Sequence, residues 1–139
     1  PTSNAECTAE QAYRWSEGRV VFASGSPFAP VTFQGKTYRP GQGNNAYVFP
    51  GLGLGAIASR AHTISDDMLL VAARILAASV GNDELAAGAI YPPLARIRQV
   101  SLTIAVAVAE KAWEEGVAQE ERPEDVECMI RELMYEPGY

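Results

Sequence analysis

Phe22-Ala23-Ser24-Gly25-Ser26-Pro27-Phe28 and Gly41-Gln42-Gly43-Asn44-Asn45, the second running on into Tyr47-Val48-Phe49-Pro50-Gly51, decide how this chain is read. Both set small or amide-bearing residues just outside a hydrophobic run. Arg19-Val20-Val21-Phe22-Ala23 is short, β-branched and aromatic and stops at Gly25, which predicts a buried strand. Ligands of open α/β sheets sit at the carboxyl ends of strands, so Ser24-Gly25-Ser26 is a candidate binding edge. Asn44 and Asn45 offer hydrogen-bond donors and acceptors without charge. A plainer use is turn chemistry, with Gly43-Asn44 at positive φ and Asn45 capping the next helix.

Outward from these stretches the pattern is mostly helical. Thr8 and Gln11 are spaced as a capping box for a short helix that Gly18 ends. Val31-Thr32-Phe33 and Lys36-Thr37-Tyr38 alternate around Gln34-Gly35, which predicts a small hairpin. A glycine-rich helix is expected over residues 45–60, irregular near Pro50. Glycine costs a helix roughly 1 kcal/mol against alanine, so Gly51, Gly53 and Gly55 point to close approach by another backbone. Ser65 caps a helix opening with Asp66 and Asp67, with Leu69, Ala72, Ala73, Leu76 and Val80 on one face and Gly81 at its end. A short helix over 83–87 and an extended Tyr91-Pro92-Pro93 follow. The longest helix, 95–115, carries two apolar stripes (Ile97, Val100, Ile104, Val108; and Leu102, Ala105, Val106, Ala109, Trp113), the mark of a helix buried between neighbours. A last helix, 124–134, is amphipathic through Val126, Met129, Ile130 and Leu133. A single buried strand cannot satisfy its own backbone groups, so it pairs with the hairpin or with sequence outside this chain.

Bulk properties exclude several classes. The 139 residues are one domain's worth, or a piece of a larger one. The net charge is −6 and the eleven Lys and Arg are scattered, which speaks against a nucleic-acid partner. The longest apolar run, 100–109, is half of what a membrane-spanning helix requires. Cys7 and Cys128 with one histidine make no zinc-ligand pattern, and a reduced, intracellular state is expected. His62 falls in the turn before the Ser65 helix, with no partner for catalysis. Gly51-Leu52-Gly53-Leu54-Gly55-Ala56 fits G-x-G-x-x-A, but no strand precedes it and helices follow, so it is read as helix packing and not as a dinucleotide fingerprint.

The two opening stretches resemble the FASGSPF and GQGNN motifs of malic enzymes, the latter with its following FPG turn. The likeness extends along the chain. Pro1-Thr2-Ser3-Asn4-Ala5-Glu6-Cys7-Thr8-Ala9-Glu10-Gln11-Ala12-Tyr13 is similar to the family's NPTxxAECTAExAY stretch, entered one residue late. His62-Thr63-Ile64-Ser65-Asp66, Tyr91-Pro92-Pro93-Leu94, Arg122-Pro123-Glu124-Asp125 and Met134-Tyr135 also have family counterparts in the same order. The resemblance implies the carboxyl-terminal part of a longer enzyme that oxidatively decarboxylates malate to pyruvate with NAD or NADP, aided by Mg or Mn. It implies an α/β fold: the mostly helical end of a Rossmann-like nucleotide-binding domain, with one core strand, a small hairpin and packed helices. Residues 1–62 would finish that domain and carry the substrate loop, and 63–139 would form a helical segment.

By the same resemblance Asn44 and Asn45 bind substrate, and Gly25 and Asn45 lie at the nicotinamide. The family's lysine base, tyrosine acid and Glu-Asp-Asp metal ligands have no counterpart here, so no catalytic or metal residue is assigned and the isolated chain should be inactive. Expected partners are the rest of the enzyme chain and a homo-oligomer, without membrane or nucleic acid, in the cytoplasm or an organelle matrix. The rival reading is a non-catalytic helical module acting by self-association. An independent enzyme ranks last, because no nucleophile–base pair is visible.

Overall fold

A computed structural model describes residues 4–135. The chain forms two compact units, one from residues 1–44 and 79–92, the other from 45–78 and 93–139. These packing units run across the sequence division at residue 62, because the helix that ends before it packs on a helix well beyond it.

The first unit begins with helix α1 (Ala9–Trp15). Its capping box forms as the sequence requires: Gln11 N–H donates to Thr8 Oγ1 at 3.2 Å and Thr8 N–H to Gln11 Oε1 at 2.8 Å. Gly18, at φ +76°, ends the turn and donates its N–H to the Tyr13 carbonyl at 2.8 Å. Tyr13 is fully buried, stacks on Tyr38 with ring centroids 4.5 Å apart and lies 6.3 Å from the Phe22 ring. Burial, with the neighbouring Tyr38 adding to it, pushes the Tyr13 phenol up.

Strands β2 (Val31–Phe33) and β3 (Lys36–Tyr38) pair antiparallel about Gln34 and Gly35, both at positive φ. This is the expected hairpin, and positive φ at both loop residues suits a two-residue turn. The expected strand at 19–23 is corrected on two points. Its regular part is β1 (Ala23–Ser24), and Val21 is 57% exposed. Its partner is β4 (Gly41–Gln42), in parallel, with Ala23 opposite Gly41 and Ser24 opposite Gln42. The hairpin is part of the crossover between these parallel strands, which no tight turn could join. The fold is thus α/β and mostly helical, with two small sheets where one core strand and a hairpin were expected.

Helix α4 (Asn82–Ala86) completes the unit. Gly81 is its N-cap at φ −77°, and not a left-handed end to the preceding helix.

The second unit is helical. A 3-10 turn, Asn45–Tyr47, leads into α2 (Phe49–Ala58). Pro50 falls in the first turn of α2, where a missing N–H costs nothing. Helix α3 (Asp66–Ala78) starts as expected, with Met68 N–H donating to Ser65 Oγ at 3.1 Å. Its buried residues are Met68, Ala72 and Leu76, whereas Leu69 and Ala73 are exposed. The segment is apolar at almost every position, so periodicity alone left the face undetermined by one residue.

Helix α5 (Ile97–Glu114) is the axis of this unit, with α2, α3 and α6 (Val126–Leu133) packed against it. Val100, Leu102, Ile104, Ala105, Val108 and Ala109 are all buried, so both apolar stripes are used. Gly51 and Gly55 are the contact points of α2. A methyl on Gly51 would lie 2.6 Å from the Ser101 carbonyl oxygen, and one on Gly55 would lie 2.5 Å from that of Ala105. Gly53, on the other side of the helix, faces open space. Helix α6 is capped by Asp125, whose Oδ1 accepts from Cys128 N–H at 2.9 Å. It buries Val126 and Ile130 against Ala58, Leu102, Ala105 and Ala109, while Leu133 is 52% exposed. Among the described residues no helix is long and apolar enough to cross a membrane.

Candidate functional site

The parallel pairing of β1 with β4 brings the two opening motifs together. Gly41 N–H donates to the Phe22 carbonyl and Gly43 N–H to the Ser24 carbonyl, each at 2.9 Å. The chains leave this short ladder side by side, one as Gly25-Ser26 and the other as Gly43-Asn44. Both therefore emerge at the carboxyl ends of parallel strands, the edge at which open α/β sheets place their ligands. Gln42 Nε2 reaches the Gly25 carbonyl at 3.4 Å and ties the two loops. Sequence reading passed over Gln42, because its contact lies seventeen residues back along the chain.

Gly25 is exposed, and a methyl placed on it would meet nothing within 4 Å. Its φ is not positive, so neither packing nor backbone strain requires glycine here. Asn44 is also exposed, and neither Gly43 nor Asn44 adopts positive φ. The positive-φ turn that could account for this pair is therefore not in use. Asn45 is exposed and opens the 3-10 turn of the second unit. It does not cap α2, whose N-cap is Val48 without any side-chain cap.

The remaining candidates have structural places. His62 is exposed and donates its backbone N–H to the Val117 carbonyl at 3.1 Å, in the turn before α3. Asp66 and Asp67 occupy the first turn of α3, at the positive end of its dipole. The G-x-G-x-x-A stretch lies within α2, with its first and third glycines against α5. Among the described residues no three His, Cys, Asp or Glu side chains converge as metal ligands. Cys7 and Cys128 are not joined to each other.

The family sequence model described as "Malic enzyme, NAD binding domain" matches residues 1–113. The chain belongs to the malic enzyme family. Its malic enzyme relatives include the NADP-dependent malic enzyme of Dictyostelium discoideum, 55% identical over the whole of this chain and 26% of its own length. NADP-dependent malic enzyme 3 of Arabidopsis thaliana is 54% identical over all of this chain and 24% of its own. The chloroplastic NADP-dependent malic enzyme of Zea mays is 54% identical over all of this chain and 22% of its own. The chain thus spans about a quarter of the length of these malic enzymes. The matched residues of the NAD-binding domain include both loop motifs and the β1–β4 pair.

Proposed function

We propose that this chain is part of an enzyme that converts malate and NADP to pyruvate, carbon dioxide and NADPH. The observation that carries the reading is the shared β1–β4 edge, which sets Gly25 beside Gly43-Asn44 in a chain whose relatives at this level of identity are NADP-dependent malic enzymes. Residues 1–62 are assigned the nucleotide-side end of the domain with its substrate loop, and 63–139 its helical continuation.

Within this reading Asn44 and Asn45 bind malate through its carboxylate and hydroxyl, and Gly25 and Asn45 adjoin the nicotinamide. The open space around Gly25 and the small residues beside it fit the approach of a flat ring. The cofactor, when bound, supplies a hydride acceptor for the C2–H of malate. The task of the asparagines is positioning, for which fixed hydrogen bonds suffice: holding two reacting atoms in line is worth several kcal/mol, on the order of 7–11 at best. The described residues do not fit a divalent ion, and no step is assigned to one here. The apolar side chains left exposed on α2 and α3, among them Ile57, Leu69 and Leu70, are assigned to contacts with the rest of the enzyme chain and with a second copy in a homo-oligomer. The cytoplasm or an organelle matrix is the proposed location.

The test uses the full-length enzyme containing this chain. Malate-dependent NADP reduction with Mn present is expected, with weaker activity on NAD. Asn45→Ala should raise KM for malate, lower kcat, or both. Unchanged kinetics would remove Asn45 from the site, and absence of turnover with either cofactor would leave the family likeness as one of fold alone.

A further inference from the structure

The Tyr91-Pro92-Pro93-Leu94 motif has no part in the function described so far, yet its first residue lies against the asparagine loop. The segment 87–91 runs along 38–43 at several points. Arg39 N–H donates to the Ala87 carbonyl at 2.9 Å. A methyl on Gly88 would sit 3.7 Å from the Tyr38 ring. One on Gly41 would lie 3.4 Å from both Ile90 Cγ1 and Tyr91 Cδ2. At Gly43 the same atom would stand 3.5 Å from Tyr91 Oη, 3.8 Å from Cε2 and 3.9 Å from Cζ. The tyrosine ring therefore occupies the side of both glycines where a side chain would stand, leaving room for no more than a methyl group at ordinary contact distance, immediately before Asn44.

The ring is also firmly held. Tyr91 precedes a proline, which confines its backbone to extended conformations, and Pro92 is fully buried. Hydrogen bonds to the Phe22 and Ser24 carbonyls hold the N–H groups of Gly41 and Gly43, but with no side chain either residue keeps more conformational freedom than any other would. A flat, half-buried ring against both removes that freedom on one side without touching a ligand.

We infer that Tyr91 is a positioning residue for substrate binding, its ring acting through Gly43 to fix the Asn44 carboxamide. This rests on the assignment of Asn44 to the malate site. Loss of the ring leaves malate's reactive groups less well aligned, so KM for malate rises and kcat falls, while KM for NADP changes little.

The experiment measures KM and kcat, with melting temperature as a control, for full-length enzyme carrying Tyr91→Leu, Tyr91→Met and Tyr91→Phe, each alone and with Asn44→Ala. The Leu and Met variants should lower kcat/KM for malate by about tenfold, and Phe, which keeps the ring, should lose clearly less than either. In the Asn44→Ala background the Leu and Met effects should disappear, because a residue acting through Asn44 has nothing left to position. Met retains most of the side-chain volume and serves if Leu fails to fold. Equal losses in Phe and Leu, or additive losses with Asn44→Ala, would overturn the inference. An inactive wild type, or an Asn44→Ala enzyme with normal kinetics, would instead overturn the assignment beneath it.

Discussion

Gly55→Ala is the sharpest stability test, because helix propensity and packing push it in opposite directions. Propensity alone would stabilise α2 by about 1 kcal/mol. The added methyl, however, would meet the Ala105 carbonyl oxygen at 2.5 Å and Val108 Cβ at 2.9 Å, where carbon contacts need about 3.5–4.0 Å. A backbone oxygen cannot rotate away, so α2 and α5 must separate by about 1 Å. Overpacking of this kind costs roughly 1–3 kcal/mol, and here the upper half of that range applies. The net result is a loss of about 1–2 kcal/mol. Gly53→Ala, two residues away, meets nothing within 4 Å and keeps the full propensity gain, about 1 kcal/mol. Urea unfolding of the enzyme, followed by far-ultraviolet circular dichroism, should therefore separate the two variants by about 2–3 kcal/mol on opposite sides of wild type. Equal stability of Gly53→Ala and Gly55→Ala would refute the packing of α2 on α5 through its glycines.

Three further outcomes are expected. Thr8→Ala removes half of the α1 capping box and should cost about 1 kcal/mol, read as a lowered urea midpoint. Tyr13→Phe should leave stability unchanged or raise it, because the buried Tyr13 hydroxyl has no hydrogen-bond partner among the described residues; a clear loss would reveal a partner. The Glu110 carboxyl is held below its usual range, chiefly by the hydrogen bond from Arg122, whose Nε and Nη2 each lie 2.7 Å from a Glu110 oxygen. A depressed carboxyl pKa adds stability above the unfolded value, about 4.3, and loses it as pH falls through the folded one. Glu110→Gln should thus be slightly less stable than wild type at neutral pH, with the difference shrinking on acidification. The pair is partly exposed, so added salt should shrink it too.

Local signals in the sequence were enough for the elements whose causes are local. The Thr8–Gln11 cap, the Ser65 start of α3, the Gln34-Gly35 turn and the doubly apolar α5 each depend on residues within a turn or two of one another. The resemblance carried by the FASGSPF and GQGNN stretches likewise placed the chain in its family before any geometry was known. What remained undecided were choices between equivalent partners. Periodicity could not choose between Leu69 and Met68 for the buried face of α3, because nearly every position there is apolar and only α5 settles which side is covered. Nor could it find the partner of β1. A parallel neighbour is reached only through a long connection, and two-residue strands carry no pattern of their own. The sequence by itself determined the helices, the turn and the family. Tertiary structure alone decided that Gly25 and Asn44 emerge side by side, which two of the three helical glycines touch α5, and that Tyr91 stands behind the loop, because each is a contact between residues that no local spacing relates.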